Sequence, residues 1–334
     1  MSFWESLKKP IMAIAPMANV TDAAFRRMFV ECNEAAQLKE RPVFWTEFVS
    51  VEGLLSKGKE KLLVDFWYDE REHPIVAQIF GSKPEQFEAV GPLIRELGFD
   101  GVDINMGCPD RAVEKQGSGA ALIKNPALAK EIIRATKRGV GDMPVSVKTR
   151  IGYAKDELET WVPALLDEGI AALTMHLRTR NEMSDAEAHW DLAPKLVALR
   201  DKYAPQTFVL GNGDVDSLSD AKRKVAETGL DGAMIGRGIF GSPWFFSGHA
   251  PDTKERLEKM VEHAEFFEKL YRNPEKGMLK SFDVMKKHFK AYVSGFDGSK
   301  ELRIKLMETH TSAEVRRVTE EWLRAAALAP QTFK

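Results

Sequence analysis

Eight short runs rich in β-branched and other apolar residues recur along the first two-thirds of the chain, each closing on polar or glycine positions. They are IMAIAPM from residue 11, PVFWTEFV from 42, PIVAQIFG from 74, GVDINMGC from 101, PVSVKTRIG from 144, ALTMHLRT from 172, TFVLGNGD from 207 and GAMIGRG from 232. Between them lie segments with apolar residues at helical spacing, such as KPEQFEAVGPLIRELG (83–98) and NPALAKEIIRATKRGV (125–140). Strand and helix in alternation predict parallel strands, and eight such units in about 245 residues predict a closed (β/α)8 TIM barrel over residues 1–248. The competing α/β architecture, a doubly wound open sheet, carries its glycine-rich phosphate loop after the first strand. Here the first strand runs into APMANVTD, and the glycines gather after the seventh and eighth, which favours the barrel.

From Pro251 onward the pattern changes. KERLEKMVEHAEFFEKLYR, GMLKSFDVMKKHFKAYV and SAEVRRVTEEWLRAAAL show helical spacing and no strand signal, so residues 249–334 are expected to form a small helical bundle domain. In the middle segment Phe282, Met285, Phe289 and Tyr292 share one face, while Lys280, Lys286, Lys287 and Lys290 spread over the other. The net charge of −2 conceals an asymmetry: residues 249–334 hold 17 Lys and Arg against 14 Asp and Glu, the remainder 31 against 36. Within 276–305 the excess is 8 against 3, which fits either a patch for an anionic polymer or an ordinary solvated face. No apolar run approaches the roughly 18 residues of a membrane span, and MSFWESLKKPIM lacks the apolar stretch of a signal peptide, so a cytoplasmic protein is expected. The two cysteines, Cys32 and Cys108, lie far apart and outside any metal-ligand spacing, so neither a disulfide framework nor a structural metal is expected.

Chemistry in a barrel gathers at the C-terminal ends of its strands. Lys148 and Arg150, then His176 and Arg178, are each two residues apart and share a side of their strands. Pointing outward, they would sit under a helix. Pointing inward, they crowd cations into a poorly hydrated space, which demands an anionic ligand. The glycines of GNGD (211–214) and IGRG (235–238), with Arg237, suit a phosphate approached by backbone N–H groups. Gln78 and Asn105 add amides that can read the edge of a heterocycle, or can serve structure alone. Lys148 beside a ring that becomes anionic on reduction would have an electrostatic role, and the parts together suggest a phosphate-bearing redox heterocycle such as FMN. Cys108 is followed by Pro109 and a glycine-rich stretch expected to be a mobile loop, which puts its thiol at the mouth. A thiol with an ordinary pKa near 8.5 is protonated at pH 7 and can act as an acid; the alternative is a small packing residue, the role expected of Cys32.

The ordered set APMANVTDAAFR, AQIFG, DINMGCP, GSGAALIKNP, VKTRIG, MHLRTR, GNGD and IGRG resembles that of the tRNA-dihydrouridine synthases, over about residues 11–245. The resemblance implies an FMN-binding barrel that reduces the 5,6 double bond of a uridine in tRNA to 5,6-dihydrouridine with NADPH or NADH, and a helical tail that binds tRNA. By the same resemblance Pro16, Met17 and Ala18 lie against the flavin, Gln78 and Lys148 contact its ring, and His176 stands beside them. Asn212, Gly213, Asp214, Gly236 and Arg237 would hold the ribityl phosphate, Asn105, Arg150 and Arg178 would contact uridine or RNA, and Cys108 would be the catalytic acid. Asp110 and Arg111 stand where many members are more basic, and Leu177 where a small residue often follows the histidine. A dihydroorotate or dihydropyrimidine dehydrogenase type of barrel, acting on a free pyrimidine, is the alternative enzyme; the basic tail argues against it. A flavin-retaining RNA-binding protein without catalysis is the alternative outside enzymes. A monomer is expected.

Overall fold

A computed structural model describes residues 2–38 and 41–328. The eight runs form strands: β1 (Ile11–Ile14), β2 (Phe44–Ser50), β3 (Ile75–Phe80), β4 (Gly101–Asn105), β5 (Val145–Arg150), β6 (Ala172–His176), β7 (Phe208–Asn212) and β8 (Gly232–Ile235). Each pairs in parallel with its neighbours in chain order, and β8 pairs back onto β1. A parallel bridge between Ala13 and Val43 closes the ring, with the Ile14 N–H donating to the Val43 carbonyl at 3.0 Å and the Val43 N–H donating to the Met12 carbonyl at 2.8 Å. The barrel read from the pattern is therefore present. Its interior packs Ile11, Ala13, Trp45, Val76, Ala172, Leu210 and Met234, and Trp4, in a short helix ahead of β1, is 1% exposed within the same cluster.

Helices follow the strands: α1 (Ala23–Ala35), α2 (Pro84–Glu96), α3 (Pro126–Val140), α4 (Leu158–Leu166), α5 (Ala193–Tyr203) and α6 (Leu218–Thr228). Local chemistry sets their ends. In α3 the Asn125 side chain caps the Leu128 N–H, Pro126 starts the first turn and Gly141, at φ 62°, ends the helix. Helices α2 and α3 touch backbone to backbone, since a Cβ built on Gly91 would lie 2.2 Å from the Gly139 carbonyl carbon.

The chain separates into two units, Met1–Ala23 with Lys39–Gly238, and Ala24–Leu38 with Ile239–Lys334. Alternation alone counts α1 as a barrel helix, yet it clusters with the C-terminal helices, because its aromatic face is met there: Phe29 lies 6.0 Å from Phe246 and Phe25 lies 5.3 Å from His288. The second unit also contains α7 (Thr253–Tyr271), α8 (Met285–Tyr292), α9 (Ser299–Met307) and α10 (Ser312–Leu328). Phe282, Met285, Phe289 and Tyr292 are all buried, as their shared face implies. The expectation of helices only is corrected by a small hairpin of Arg272–Asn273 with Gly277–Met278, where the Asn273 side chain accepts from the N–H groups of Glu275 and Lys276. The middle helix consequently starts at Met285, and Lys280 precedes it with its ammonium 5.4 Å from the Tyr271 ring centre. Among the described residues no helix is long and apolar enough to cross a membrane, and no group of His, Cys, Asp and Glu is placed to hold a metal ion.

Candidate active site

A cavity of about 440 Å³ opens across the C-terminal ends of the barrel strands. Thirteen of the residues singled out from the sequence line it: Pro16, Met17, Asn105, Cys108, Lys148, Arg150, His176, Arg178, Asn212, Gly213, Asp214, Gly236 and Arg237. The pairs Lys148/Arg150 and His176/Arg178 therefore face inward. Ala18 is exposed on the loop after β1 and is not part of the lining. Gln78 is fully buried and is not part of it either. Phe48 from β2, Met234 from β8 and Ser184 also line the cavity, and nothing in the sequence had marked them.

The cations differ in what their donors do. Arg178 is 2% exposed, with Nε donating to the Ala186 carbonyl at 2.6 Å, Nη1 3.2 Å from His176 Nε2, and Nη2 paired with Asp214. It is a strut tying the ends of β6 and β7 together. Arg150 holds the carbonyls of Gly107, Thr179 and Met183 at 2.8, 3.0 and 2.8 Å through Nε and Nη1, which leaves Nη2. Lys148 donates to Asn212 Oδ1 at 3.2 Å, and Asn212 is oriented by its own Nδ2 donating to the Met234 carbonyl at 2.8 Å. Burial, then repulsion from Arg150, brings the Lys148 ammonium down to about 8, so it is mostly charged at pH 7. Burial and the cations Lys148, Arg150 and Arg178 hold His176 neutral, well below the usual imidazole range.

Asp214 is the counter-charge. Burial would raise its pKa, but Arg178, the Ala188 N–H and Arg237 outweigh it and leave the carboxyl at about 2. Asp214 also orients the Arg237 guanidinium, which is 2.7 Å away and largely exposed. Gly213 sits at φ 122°, where an added Cβ would lie 2.8 Å from Ala188 Cβ, and Gly236 meets nothing closer than 3.7 Å. One glycine is required by the turn. The other keeps the wall open beside Arg237.

Cys108 follows β4, four strands round the barrel from β8, and is partly exposed. Its N–H and that of Gly107 donate to Asn105 Oδ1 at 2.9 and 3.1 Å, which fixes the turn. Burial pushes the thiol up from its ordinary pKa, so it is protonated at neutral pH. The glycine-rich stretch behind it is built rather than open: Asp110 caps a short helix, Arg111–Lys115, and Gly119–Lys124 form a 3-10 turn in which the Ala120 N–H donates to the Cys108 carbonyl at 3.0 Å. Asp110, one of the departures in the motif, thus has a local capping role, and Leu177 is fully buried. Beneath the turn, Gln78 Oε1 accepts from Asn105 Nδ2 at 3.0 Å and Gln78 Nε2 donates to Asp103 Oδ2 at 2.7 Å. Asp103 had escaped notice although it lies two residues before Asn105 on the same side of β4. Burial, offset by Ser146, Gln78 and Lys148, raises its carboxyl to about 6.

The fold and cavity define a (β/α)8 barrel with a site arranged for an anionic ligand at one end and a protonated thiol at its rim. The family model for dihydrouridine synthase matches residues 13–328, and the chain belongs to that family. It is 41% identical over 326 residues to a probable tRNA-dihydrouridine synthase of Staphylococcus aureus, spanning 96% of this chain and 95% of that one. It is 40% identical over 328 residues to probable tRNA-dihydrouridine synthase 2 of Bacillus subtilis, spanning 97% of each. Among solved structures, morphinone reductase shares the fold, with a TM-score of 0.50 at 14% identity over 74% of this chain and 88% of that one.

Proposed function

We propose that this chain reduces the 5,6 double bond of a uridine in tRNA to 5,6-dihydrouridine, with FMN as its flavin and NADPH or NADH as reductant. The observation that carries the reading is the protonated Cys108 thiol at the rim of a cavity whose far wall joins Lys148 to the glycines and guanidinium of residues 212–237. The cavity fits the flavin in chemistry: Arg237 and the N–H groups beside Gly213 and Gly236 suit its phosphate, and Pro16, Met17, Lys148 and His176, which line the same cavity, would flank its ring. Bound reduced FMN supplies a hydride.

The protein's part is the proton and the position. Cys108 Sγ–H gives its proton to C5 of the pyrimidine, and the thiolate left behind is favoured by Arg150 and Lys148. Neutral His176 adds no charge but lends its ring to the wall. Asn105 keeps one amide N–H and Arg150 its Nη2 for the uracil edge, while Arg178 supports Asp214. The uridine must leave its stack to reach this depth. Residues 1–248 do the chemistry and 249–334 supply tRNA affinity, with exposed Lys287 and Lys290 as phosphate contacts; Lys286 is paired with Asp283 at 2.5 Å. The names of the relatives favour tRNA over a free pyrimidine. A tRNA substrate is met in the cytoplasm, and a monomer suffices because every assigned residue comes from one chain. Nucleoside analysis of tRNA from cells with and without the protein tests the reading: one dihydrouridine position should vanish, and unchanged dihydrouridine at every position would refute it.

A further inference from the structure

Three side chains form a one-way hydrogen-bond chain beneath the cavity, and it ends on a carboxylate. The Gly107 and Cys108 N–H groups donate to Asn105 Oδ1, Asn105 Nδ2 donates to Gln78 Oε1, and Gln78 Nε2 donates to Asp103 Oδ2. The other carboxylate oxygen of Asp103 accepts from Ser146 Oγ at 2.6 Å. Asp103 and Gln78 are fully buried and Asn105 is 7% exposed, so water does not compete for the bonds among these side chains. The sense of the chain matters. An amide can face either way, but a carboxylate only accepts and a backbone N–H only donates, so the two ends dictate one orientation for both amides between them. We infer that Asp103 is a positioning residue: acting through Gln78 and Asn105, its carboxylate holds the turn that presents the Cys108 thiol to the cavity.

Asp103→Asn removes that dictate at the carboxylate end and leaves only the two N–H groups of the turn to order the chain. Its new amide can donate to Gln78, whereupon Gln78 turns over, Asn105 follows, and an NH2 group faces the two N–H groups of the turn. Packing volume is almost unchanged. Moving the carboxylate one station along restores the order: in the double variant Asp103→Asn, Gln78→Glu, Asn at 103 donates to Glu at 78, which still accepts from Asn105. A residue that merely fills space is indifferent to this transposition.

The inference rests on the assignment of Cys108 as proton donor, and the experiment separates the two. Iodoacetamide alkylation of Cys108 reports the turn without any turnover, and Cys32, 5% exposed with its thiol pushed up to about 11, serves as the unreactive control. Asp103→Asn should alkylate several-fold faster at Cys108 than the wild type, and the double variant should return to the wild-type rate. In turnover with tRNA, Asp103→Asn should lower kcat by roughly tenfold or more with KM for tRNA unchanged, the scale of one charge-assisted hydrogen bond, and the double variant should recover most of it. Wild-type alkylation in the single variant, or a double variant no better than the single, overturns the inference. If the single variant does not fold, the double variant decides alone: a folded protein with the wild-type alkylation rate supports the chain, and an unfolded one overturns it. A restored alkylation pattern with Cys108 dispensable for turnover would leave the positioning intact and refute the proton-donor assignment instead.

Discussion

Lowering the pH should destabilise the helical unit through two histidines with no part in the chemistry. His263 and His288 are both fully buried, their ring centres 4.6 Å apart, and none of their four nitrogens has a hydrogen-bond partner among the described residues. Burial, then the charges of neighbours, holds both imidazoles neutral, His263 well below 6.5 and His288 at about 3. In the unfolded chain both titrate near 6.5, so below that pH the unfolded state binds protons that the folded state refuses. Stability is whole above pH 6.5 and is lost as the pH falls toward 3. At pH 5.5 the loss is about 1.4 kcal/mol for each ring, about 3 kcal/mol for the pair. Asp103 works in the opposite sense over part of this range, because its raised carboxyl takes up a proton in the fold as the pH falls through about 6. The diagnostic quantity is therefore the difference between proteins. Urea unfolding followed by circular dichroism at pH 7.5 and 5.5 should show that His288→Leu removes about 1.4 kcal/mol of the pH-dependent loss, and His263→Leu, His288→Leu about twice that. Equal losses in the wild type and the double variant would refute the argument, since the rings would then be ionising in the fold or reaching solvent.

The contact of α2 with α3 has no room for a methyl group, so Gly91→Ala should lower stability by about 1–3 kcal/mol, read as a shift in the urea midpoint; an unchanged midpoint would mean that the helices separate at no cost. Lys287→Glu with Lys290→Glu should weaken tRNA binding and flatten its dependence on salt while flavin content stays the same; unchanged affinity and salt slope would make this face a solvated surface only.

The strand runs were legible because each concentrates β-branched and apolar residues between turn signals, and the polar residues at their ends mark the cavity. The spacing put Lys148 with Arg150, and His176 with Arg178, on one side of each strand, but that this side is the inner one is shown only by the cavity they line. What their donors do was not legible, since the carbonyls of Ala186, Thr179 and Met183 arrive from a loop with no pattern of its own. Gln78 illustrates the same limit: nothing in a strand-end amide marks, in sequence, its hydrogen bonds to Asp103 and Asn105. The affiliation of α1 depends on Phe246 and His288, more than two hundred residues away along the chain, and no local periodicity carries that information. The Arg272–Met278 hairpin was missed because two-residue strands leave no alternation to read, although NPEKG was a turn signal.

The central claim is that Cys108 is the acid of a uridine reductase, and the direct test is dihydrouridine formed on an unmodified tRNA transcript by the purified flavin-loaded protein with NADPH. The wild type should form it stoichiometrically at one position. Cys108→Ala should keep its flavin, oxidise NADPH and bind tRNA, yet form dihydrouridine slower by roughly 10² or more, and Cys32→Ala should match the wild type. No dihydrouridine from the wild type, or an undiminished rate in Cys108→Ala, would contradict it.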